Sequence, residues 1–222
     1  MDALRITNYQ SSQLDDTVVV RRIIAGEKEL FEILLRRYNQ TLYRVVRSYL
    51  KDPAEIEDAM QNAYMKAYDK LSQFKGEAAF STWLIRIGIN EALLRLKVLK
   101  KQKVVPFNDL DVNDLAIHQI SDKQVNPEKA IIRQEAQQML EAAIDSLPEK
   151  YRVIYVLKEI EGLTNSEISV SLGITDSNMK VRLHRARTLL KESLYQLSTP
   201  AKIFEFGNKR CDAMVQMVMK AI

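Results

Sequence analysis

The chain has 222 residues, of which 46% are hydrophobic, and its 33 Lys and Arg against 29 Asp and Glu give a formal net charge of +4. These values exclude a wholly disordered chain. The sequence has neither an apolar run of about 18 residues nor a basic-then-apolar start, so we expect no membrane insertion and no export. One cysteine, Cys211, and two histidines, His118 and His184, argue against a disulfide framework and against a thiolate or imidazole metal site. We expect a cytoplasmic protein with no bound metal and no cofactor.

The first part of the chain predicts a helical domain over residues 18–103, after a polar tail at 1–17. Only six Gly and five Pro interrupt the sequence, and apolar residues recur with helical spacing, which is typical of an all-α fold. The periodicity predicts helices over about 18–38, 42–50, 53–71 and 81–103, with a break in the first of them near Gly26. Asp52 followed by Pro53 is typical of a helix N-cap and the first helical position.

A second helical domain is predicted over residues 131–197, joined to the first by an extended acidic linker at 104–130. Periodicity fades in this linker, in which acidic side chains outnumber basic ones. The spacing of Ser146 with Glu149 predicts a capping box at the start of a helix. Residues 198–222 predict an amphipathic extension that packs on the second domain or binds a partner.

The second domain contains a helix-turn-helix pattern. Thr164 and Glu167 have capping-box spacing ahead of a short helix, and Gly173 is suited to end that helix in the left-handed conformation. A longer helix follows from about Asp176 to Leu194. Two helices joined by such a turn are typical of a helix-turn-helix, although the spacing alone fits an ordinary helical hairpin equally well.

Charge placement favours DNA binding by the longer helix. Residues 131–176 hold four basic and eight acidic side chains, a net charge of −4, whereas 177–191 hold five basic side chains and no acidic one. The inward stripe of this helix is apolar: Met179, Leu183, Ala186 and Leu190. The opposite stripe would face a DNA major groove, with flanking arginines for phosphates: Ser177, Lys180, Val181, His184 and Arg185, flanked by Arg182 and Arg187. A solvated basic face is the alternative interpretation.

A second basic cluster ends the long helix of the first domain. It has five positive residues in nine: Arg95, Lys97, Lys100, Lys101 and Lys103. Upstream lie three aromatic residues, Phe74, Phe80 and Trp83. Aromatic faces beside cationic side chains are what an unpaired DNA strand needs, since bases stack on them and phosphates pair with the cations. The alternative is that Phe80 and Trp83 are core aromatics.

Three further motifs occur in register along the chain. Residues 80–87 (FSTWLIRI), with Asn90, resemble the promoter-melting segment of RNA polymerase sigma factors, and residues 57–62 (EDAMQN) resemble their helix that binds core polymerase. Residues 147–152 (LPEKYR), 161–164 (EGLT) and 180–187 (KVRLHRAR) resemble the C-terminal helix-turn-helix. The closest group is the extracytoplasmic-function (ECF) type of the sigma-70 family, which keeps only conserved regions 2 and 4. The resemblance covers about 18–103 and 131–195.

The resemblance implies a role for each matching residue. The set for core polymerase is Glu57, Asp58, Gln61, Asn62 and Met65, for which a solvated helix face is the competing interpretation. The set for the −10 promoter element and melting is Phe74, Lys75, Gly76, Phe80, Thr82, Trp83, Arg86 and Asn90. The set for the −35 element is Ser177, Asn178, Lys180, Val181, Arg182, His184, Arg185 and Arg187. Asn178 and Val181 depart from the commoner family run, Thr-Val-Lys-Ser, so the preferred −35 sequence is left open.

The expected function is therefore that of a sigma factor, which is not an enzyme. The resemblance implies core RNA polymerase and promoter DNA as partners, with an anti-sigma protein as a further candidate, and a linker that threads the polymerase channel. A stand-alone helix-turn-helix regulator of duplex DNA is the alternative, but it leaves the first-domain motifs unexplained. An enzyme using the carboxylates of Glu55, Glu57 and Asp58 has neither a partner base nor a glycine-rich phosphate loop beside them.

Overall fold

The computed structural model describes residues 14–102 and 127–198, together with Met219. Every regular element within these residues is helical, so the predicted all-α fold class is confirmed. The α-helices are α1 Asp16–Ile24, α2 Phe31–Arg47, α3 Pro53–Asp69, α4 Phe80–Gln102, α5 Pro127–Ser146, α6 Glu149–Tyr155, α7 Asn165–Leu172 and α8 Asp176–Ser198. Most of the predicted tail, linker and C-terminal extension, with His118 and Cys211, lies outside the described residues.

Helix starts and stops follow the local sequence in the first helical unit, α1–α4. The Asp52 carboxylate accepts a hydrogen bond of 3.1 Å from the Glu55 N–H, and Pro53 is the first residue of α3, as predicted. Gly26, with a φ of 114°, lies between α1 and α2. The predicted separation of helices after Tyr38 is wrong, because α2 runs without a break from 31 to 47, where no Gly or Pro interrupts it.

Of the two predicted capping boxes, one is present in the structure and the other is not. At α7, the Thr164 hydroxyl accepts from the Glu167 N–H at 3.3 Å and the Glu167 carboxylate accepts from the Thr164 N–H at 2.8 Å, so this capping box is confirmed. The one at Ser146 is wrong. Ser146 is the last residue of α5, where its hydroxyl donates to the Ala143 carbonyl, and Pro148 takes the N-cap position of α6 instead.

Helix α4 is the centre of the first unit, packed against both α2 and α3. Helices α2 and α4 approach each other closely at Gly88, where a Cβ atom would lie 2.4 Å from Cδ1 of the buried Leu42. A side chain at position 88 would therefore have to displace the buried side chain of Leu42. Near the end of α4, Leu94 and Val98 are exposed, whereas Leu96 and Leu99 are partly buried against this core.

The second helical unit, α5–α8, packs around α8 and also contacts the first unit. Helix α6 continues into a π-helical turn, Val156–Ile160, closed by a hydrogen bond of 3.0 Å from the Glu161 N–H to the Val156 carbonyl. Helix α7 packs on α4, and the π-helical turn packs on α2. One buried apolar cluster therefore includes residues of both units, from Val19 in α1 to Leu183 in α8.

Candidate nucleic-acid interface

The exposed face of α8 is created by the turn that precedes it. Gly173 ends α7 with a φ of 64°, and the N–H of the next residue, Ile174, donates to the Ser169 carbonyl at 3.0 Å. The apolar stripe predicted to face inwards is buried throughout: Met179, Leu183, Ala186 and Leu190. The opposite stripe is exposed throughout: Ser177, Asn178, Lys180, Val181, His184 and Arg185. Val181 is the apolar member of this exposed stripe, with 62% of its side chain accessible.

The two arginines that flank the exposed stripe of α8 differ in their contacts and in their exposure. Arg187 donates from Nε and Nη2 to Oε1 of Glu159 on the π-helical turn, at 3.1 and 2.6 Å. Arg182 is half-buried. The sequence did not reveal Glu159 as a partner, because a charge pair 28 residues apart has no local signature.

Three aromatic rings form a cluster at the start of α4. The ring centroids of Phe74, Phe80 and Trp83 lie 5.5 to 5.6 Å apart in all three pairs, with tilted and edge-to-face geometry. Phe80 is only 2% exposed and also contacts Tyr38, whereas Phe74 and Trp83 are half-buried. Phe80 is thus a core residue, while Phe74 and Trp83 present part of their surface to solvent.

The other residues assigned to the −10 element do not form one exposed surface. Lys75 and Gly76 lie in an exposed loop, in which Gly76 has a φ of 73°, and Arg86 and Asn90 are exposed along α4. Thr82 is only 3% exposed, and its hydroxyl donates a hydrogen bond of 3.1 Å to Oε1 of Glu167 in the second unit. Thr82 and Glu167 are 85 residues apart, so no local pattern in the sequence indicates this contact.

Glu167 is held in its charged form by its partners. Its carboxylate accepts hydrogen bonds from the hydroxyl and N–H of Thr164 and from the Thr82 hydroxyl. These bonds hold the pKa of Glu167 below its usual value, with the Thr164 hydroxyl as the largest cause. The carboxylate that caps α7 is therefore also an anionic acceptor facing α4.

The residues assigned to core polymerase share one side of α3. Glu57, Asp58, Gln61, Asn62 and Met65 are all exposed, Met65 to 60%. The buried side of the same helix is apolar: Ile56, Ala59, Met60, Ala63 and Ala67. A shallow groove of about 390 Å³ runs between α3 and α4, with Asp58 and Asn62 on one wall and Arg95 and Lys97 on the other.

The basic cluster at the end of α4 is partly neutralised. Arg95 forms a two-point ion pair with Glu55, and Lys100 lies 3.7 Å from the Glu149 carboxylate of the second unit. Lys97 and Lys101 are exposed and have no carboxylate within 4 Å among the described residues. Two of the five predicted positive side chains are therefore paired with carboxylates within the protein, and a third, Lys103, lies outside the described residues.

Neither a metal site nor a membrane helix is found in the described parts of the chain. No three potential ligands among His, Cys, Asp and Glu lie close enough there to hold an ion. No helix described between 14 and 198 is long and apolar enough to span a bilayer.

Two protein-family models match this chain and identify its family. Residues 34–102 match the family model for sigma-70 region 2, and residues 137–190 match that for sigma-70 region 4. The chain belongs to the sigma-70 family of sigma factors. This family consists of non-catalytic transcription initiation factors, whose members bind core RNA polymerase and promoter DNA.

Relatives of this sigma factor assign it to the ECF type. It is 31% identical over 194 residues to the ECF RNA polymerase sigma-E factor of Escherichia coli K12. The aligned region covers 84% of this chain and 98% of the relative. It is 30% identical over 190 residues to the RNA polymerase sigma-H factor of Pseudomonas aeruginosa PAO1, covering 84% and 97% of the two chains. The ECF assignment made from the three sequence motifs is confirmed.

Two solved structures share the fold. One is CnrH in complex with the cytosolic domain of CnrY, with a TM-score of 0.58 and 21% identity over 83% of this chain and 99% of that one. The other is the sigma factor RpoE in complex with the anti-sigma factor NepR from Bartonella quintana, with a TM-score of 0.59 and 21% identity over 76% and 98%. The arrangement of helices in this chain is thus one already seen in sigma factors.

Proposed function

We propose that this sigma factor reads the −35 element with α8, captures unpaired −10 bases around the start of α4, and thereby promotes strand separation. The observation that carries the proposal is the exposed stripe of α8, which lies opposite a fully buried apolar stripe. A helix anchored in this way presents a fixed set of side chains to the width of a major groove.

Each residue of the exposed α8 stripe has a proposed role. Lys180 and Arg185 are cations that can donate to guanine O6 and N7, and Val181 offers an apolar contact for a thymine methyl group. Ser177, Asn178 and His184 can donate to base edges or phosphates. Arg182 and Arg187, at the flanks, are proposed phosphate contacts.

The −10 site is proposed to be built around the aromatic cluster. Phe74 and Trp83 are half-buried, so each can offer part of a ring to a base. The exposed loop that follows Phe74 supplies the Lys75 ammonium group and the Gly76 backbone, and Arg86 is exposed further along α4. Phe80, Thr82 and Asn90 complete the proposed set, Phe80 by supporting the other two rings and Asn90 by its exposed amide.

The exposed side of α3 is proposed to dock on core polymerase. Its five residues combine two carboxylates, two amides and one apolar side chain: Glu57, Asp58, Gln61, Asn62 and Met65. We propose a polymerase-binding and −10 domain at 18–103, a linker at 104–130 in the polymerase channel, and a helix-turn-helix domain at 131–197. The extension at 198–222 is proposed to pack on that domain or to bind a partner.

Nucleotide transfer is proposed to belong wholly to the polymerase, with no catalytic group or cofactor from this chain. The site of action is then the cytoplasm, where core polymerase and promoter DNA meet. An anti-sigma protein is proposed as a further partner, supported by the RpoE structure of shared fold, which is a complex with the anti-sigma factor NepR.

Reconstitution tests the proposed function. Purified protein is added to core polymerase, and transcription from its promoter is measured together with binding to core. Asp58→Arg should abolish core binding, while Asp69→Arg, the same charge change at an exposed residue at the end of α3, should not. Wild-type protein that binds duplex DNA but never core polymerase would be a stand-alone regulator instead.

A further inference from the structure

Helix α5 carries an apolar stripe that the described parts of the chain leave open to solvent. Every residue from 132 to 142 is exposed, although the helix continues to Ser146. The stripe has the spacing i, i+4, i+7 and i+8, which places its members on one side of the helix. They are Ile132, Ala136, Met139 and Leu140, of which Ile132 is 60% exposed.

The buried part of the second unit continues this stripe. Ala143 and Ile144 follow at i+11 and i+12 from Ile132, and both are buried in one cluster with Leu190 of α8. One apolar side of α5 is therefore covered at its carboxyl end and open along the preceding turns. Most helical stability in proteins comes from the packing of such a side, since a short isolated helix is marginal in water. The open turns of α5 thus need a packing partner, and the described residues do not supply it.

Helix α8 leads the chain to this place. The hydroxyl oxygens of Ser146 and Ser193 are 3.0 Å apart, so α8 contacts the end of α5 shortly before its own end at Ser198. Pro200 favours that end, because a proline disfavours helical backbone at the residue before it. The rest of the chain, 199–222, therefore begins about 7.5 Å along α8 from the contact with α5 and would span about 36 Å as a helix. This length exceeds that of the open stripe, which is about 12 Å.

The sequence of 209–222 predicts a helix with an apolar side of its own. Apolar residues recur there at i, i+3, i+4, i+7 and i+11, which is typical of an amphipathic helix. The apolar side has Cys211, Met214, Val215, Val218 and Ile222, and the polar side has Asp212, Gln216 and Lys220. Met219, which the structure describes, is helical and exposed. Methionine adapts to irregular apolar surfaces, and it occurs both in this segment and in the stripe of α5.

Charge favours this segment over 103–126, the other long segment outside the described residues. Residues 132–142 of α5 carry one basic and two acidic side chains: Arg133, Glu135 and Glu141. The segment 199–222 has four basic and two acidic side chains, a net charge of +2, whereas 103–126 has two basic and four acidic ones, a net charge of −2. Complementary charge favours association and like charge opposes it. The C-terminal segment is therefore the better occupant of the stripe.

We propose that residues 209–222 form a helix that docks on the open stripe of α5 and completes the core of the helix-turn-helix domain. This inference rests on one part of the proposed function, in which the extension packs on that domain. The chain turns back after Pro200, and the apolar side of the new helix covers the stripe. Helix α5 is then held along its whole apolar side, by Leu190 of α8 at its carboxyl end and by the extension along the preceding turns.

Disulfide formation tests the docking, because Cys211 is the only cysteine in the chain. A second cysteine is introduced on the stripe, as Ala136→Cys or Met139→Cys. Controls place it on the opposite, equally exposed side of α5, as Gln134→Cys or Gln138→Cys. During mild oxidation of dilute protein, at least one stripe variant should form an intramolecular disulfide about tenfold faster than both controls, since docking raises the effective concentration of the two thiols.

Two outcomes of the oxidation would overturn the proposal. Equal rates on the two sides of α5 would mean that the extension does not select the stripe. Disulfides that form between chains, at a rate that rises with protein concentration, would mean that the stripe receives a second copy of the chain instead.

Protection of the stripe from a reagent gives a second measurement. In a chain with Met139→Cys and Cys211→Ser, the thiol at position 139 is reacted with a maleimide. Val218→Asp should raise the rate about tenfold, because the docked helix would have to bury an unpaired carboxylate. The matched control, Gln216→Asp, adds the same charge to the polar side of the extension and should leave the rate unchanged. A rate that Val218→Asp does not alter, or that both changes raise equally, would contradict docking.

Addition of core polymerase separates this inference from the rest of the proposed function. Protection of position 139 that appears only with polymerase would assign the stripe to that partner and overturn the inference. A chain that docks its extension but never binds core would refute the proposed sigma function alone. A chain that binds core and transcribes, yet gives equal disulfide rates on both sides of α5, would refute docking alone.

Discussion

Arg152 of α6 donates a hydrogen bond of 3.3 Å from Nη1 to the backbone carbonyl oxygen of Ser48, the residue that ends α2. Its Nη2 donates at 2.8 Å to the carbonyls of Asp145 and Leu147, at the end of α5. Arg152 is only 7% exposed, and burial lowers its pKa. One cation thus lies at the carboxyl ends of two helices from different units, where the helix dipoles favour positive charge.

Replacement of this arginine is expected to destabilise the whole fold. Arg152→Met keeps much of the side-chain volume but leaves two buried carbonyls and one partly buried carbonyl without this donor, so the free energy of unfolding should fall by about 3 kcal/mol. Urea denaturation measures the change. The control is Arg36→Met, on the exposed side of α2, which should alter the value by no more than about 0.5 kcal/mol. A loss below about 1 kcal/mol for Arg152→Met would contradict the capping role.

The lowered pKa of Glu167 predicts a loss of stability in acid. A carboxyl group whose pKa is lowered by folding stabilises the protein above its unfolded pKa, near 4.5, and this contribution disappears as the pH falls through the lower folded value. Glu167→Gln can keep a side-chain acceptor but has no charge, so unfolding free energies between about pH 3 and pH 7 should fall less steeply in the variant. Parallel profiles for the two proteins would rule the effect out.

Arg185 is expected to select a base in the −35 element. Arg185→Ala should weaken binding of the reconstituted holoenzyme to its promoter by about 1–3 kcal/mol and relax the preference at one base pair. The comparison is Lys191→Ala, which removes an exposed charge from the same helix outside the reading stripe and should weaken binding less and equally on all sequences. Anisotropy titrations at one fixed salt concentration measure both. Equal weakening on all sequences for Arg185→Ala would make it a phosphate contact.

Phe74 is expected to act in promoter opening beyond its packing role. Phe74→Ala should reduce the stability of the open complex by about 1–3 kcal/mol, the value of one base stacked on an aromatic ring. Permanganate oxidation of unpaired thymines in the −10 element measures opening. Phe31→Ala is the matched control, since Phe31 is also half-buried and in an edge-to-face pair, with Tyr68 at 5.1 Å, but lies outside the −10 set. Equal loss of opening in both variants would show that Phe74 acts only through its packing in the core.

Local sequence was sufficient to predict the reading helix. The alternation of Met179 and Leu183 with Lys180 and His184 places apolar and polar side chains on opposite sides of any helix, whatever its neighbours. Gly173 marks the turn for an equally local reason, because its left-handed backbone is unfavourable for other residues. Fold class and the orientation of α8 could therefore be predicted before any tertiary contact was known.

The contacts between the units could not be predicted in this way. Arg47 and Asp145 are 98 residues apart, and each reads from sequence as an ordinary surface charge. Thr82 shows the same limit, since helical periodicity gives no indication that a carboxylate of another unit covers it. The capping box predicted at Ser146 is wrong for a more local reason. Pro148, two positions later, takes the N-cap of α6, and capping-box spacing alone does not establish where a helix begins.

The ion pair between Arg187 and Glu159 has a consequence for the salt dependence of promoter binding. A cation that neutralises a DNA phosphate normally releases condensed counterions from the DNA, and the logarithm of the affinity falls with the logarithm of salt by about 0.9 per phosphate. At Arg187 the incoming phosphate also displaces the Glu159 carboxylate, an anion that stays attached to the protein. The repulsion between that carboxylate and the DNA opposes the contact and weakens as salt is raised. Arg187 should therefore add less to the affinity, and less to the salt slope, than a cation with no carboxylate partner.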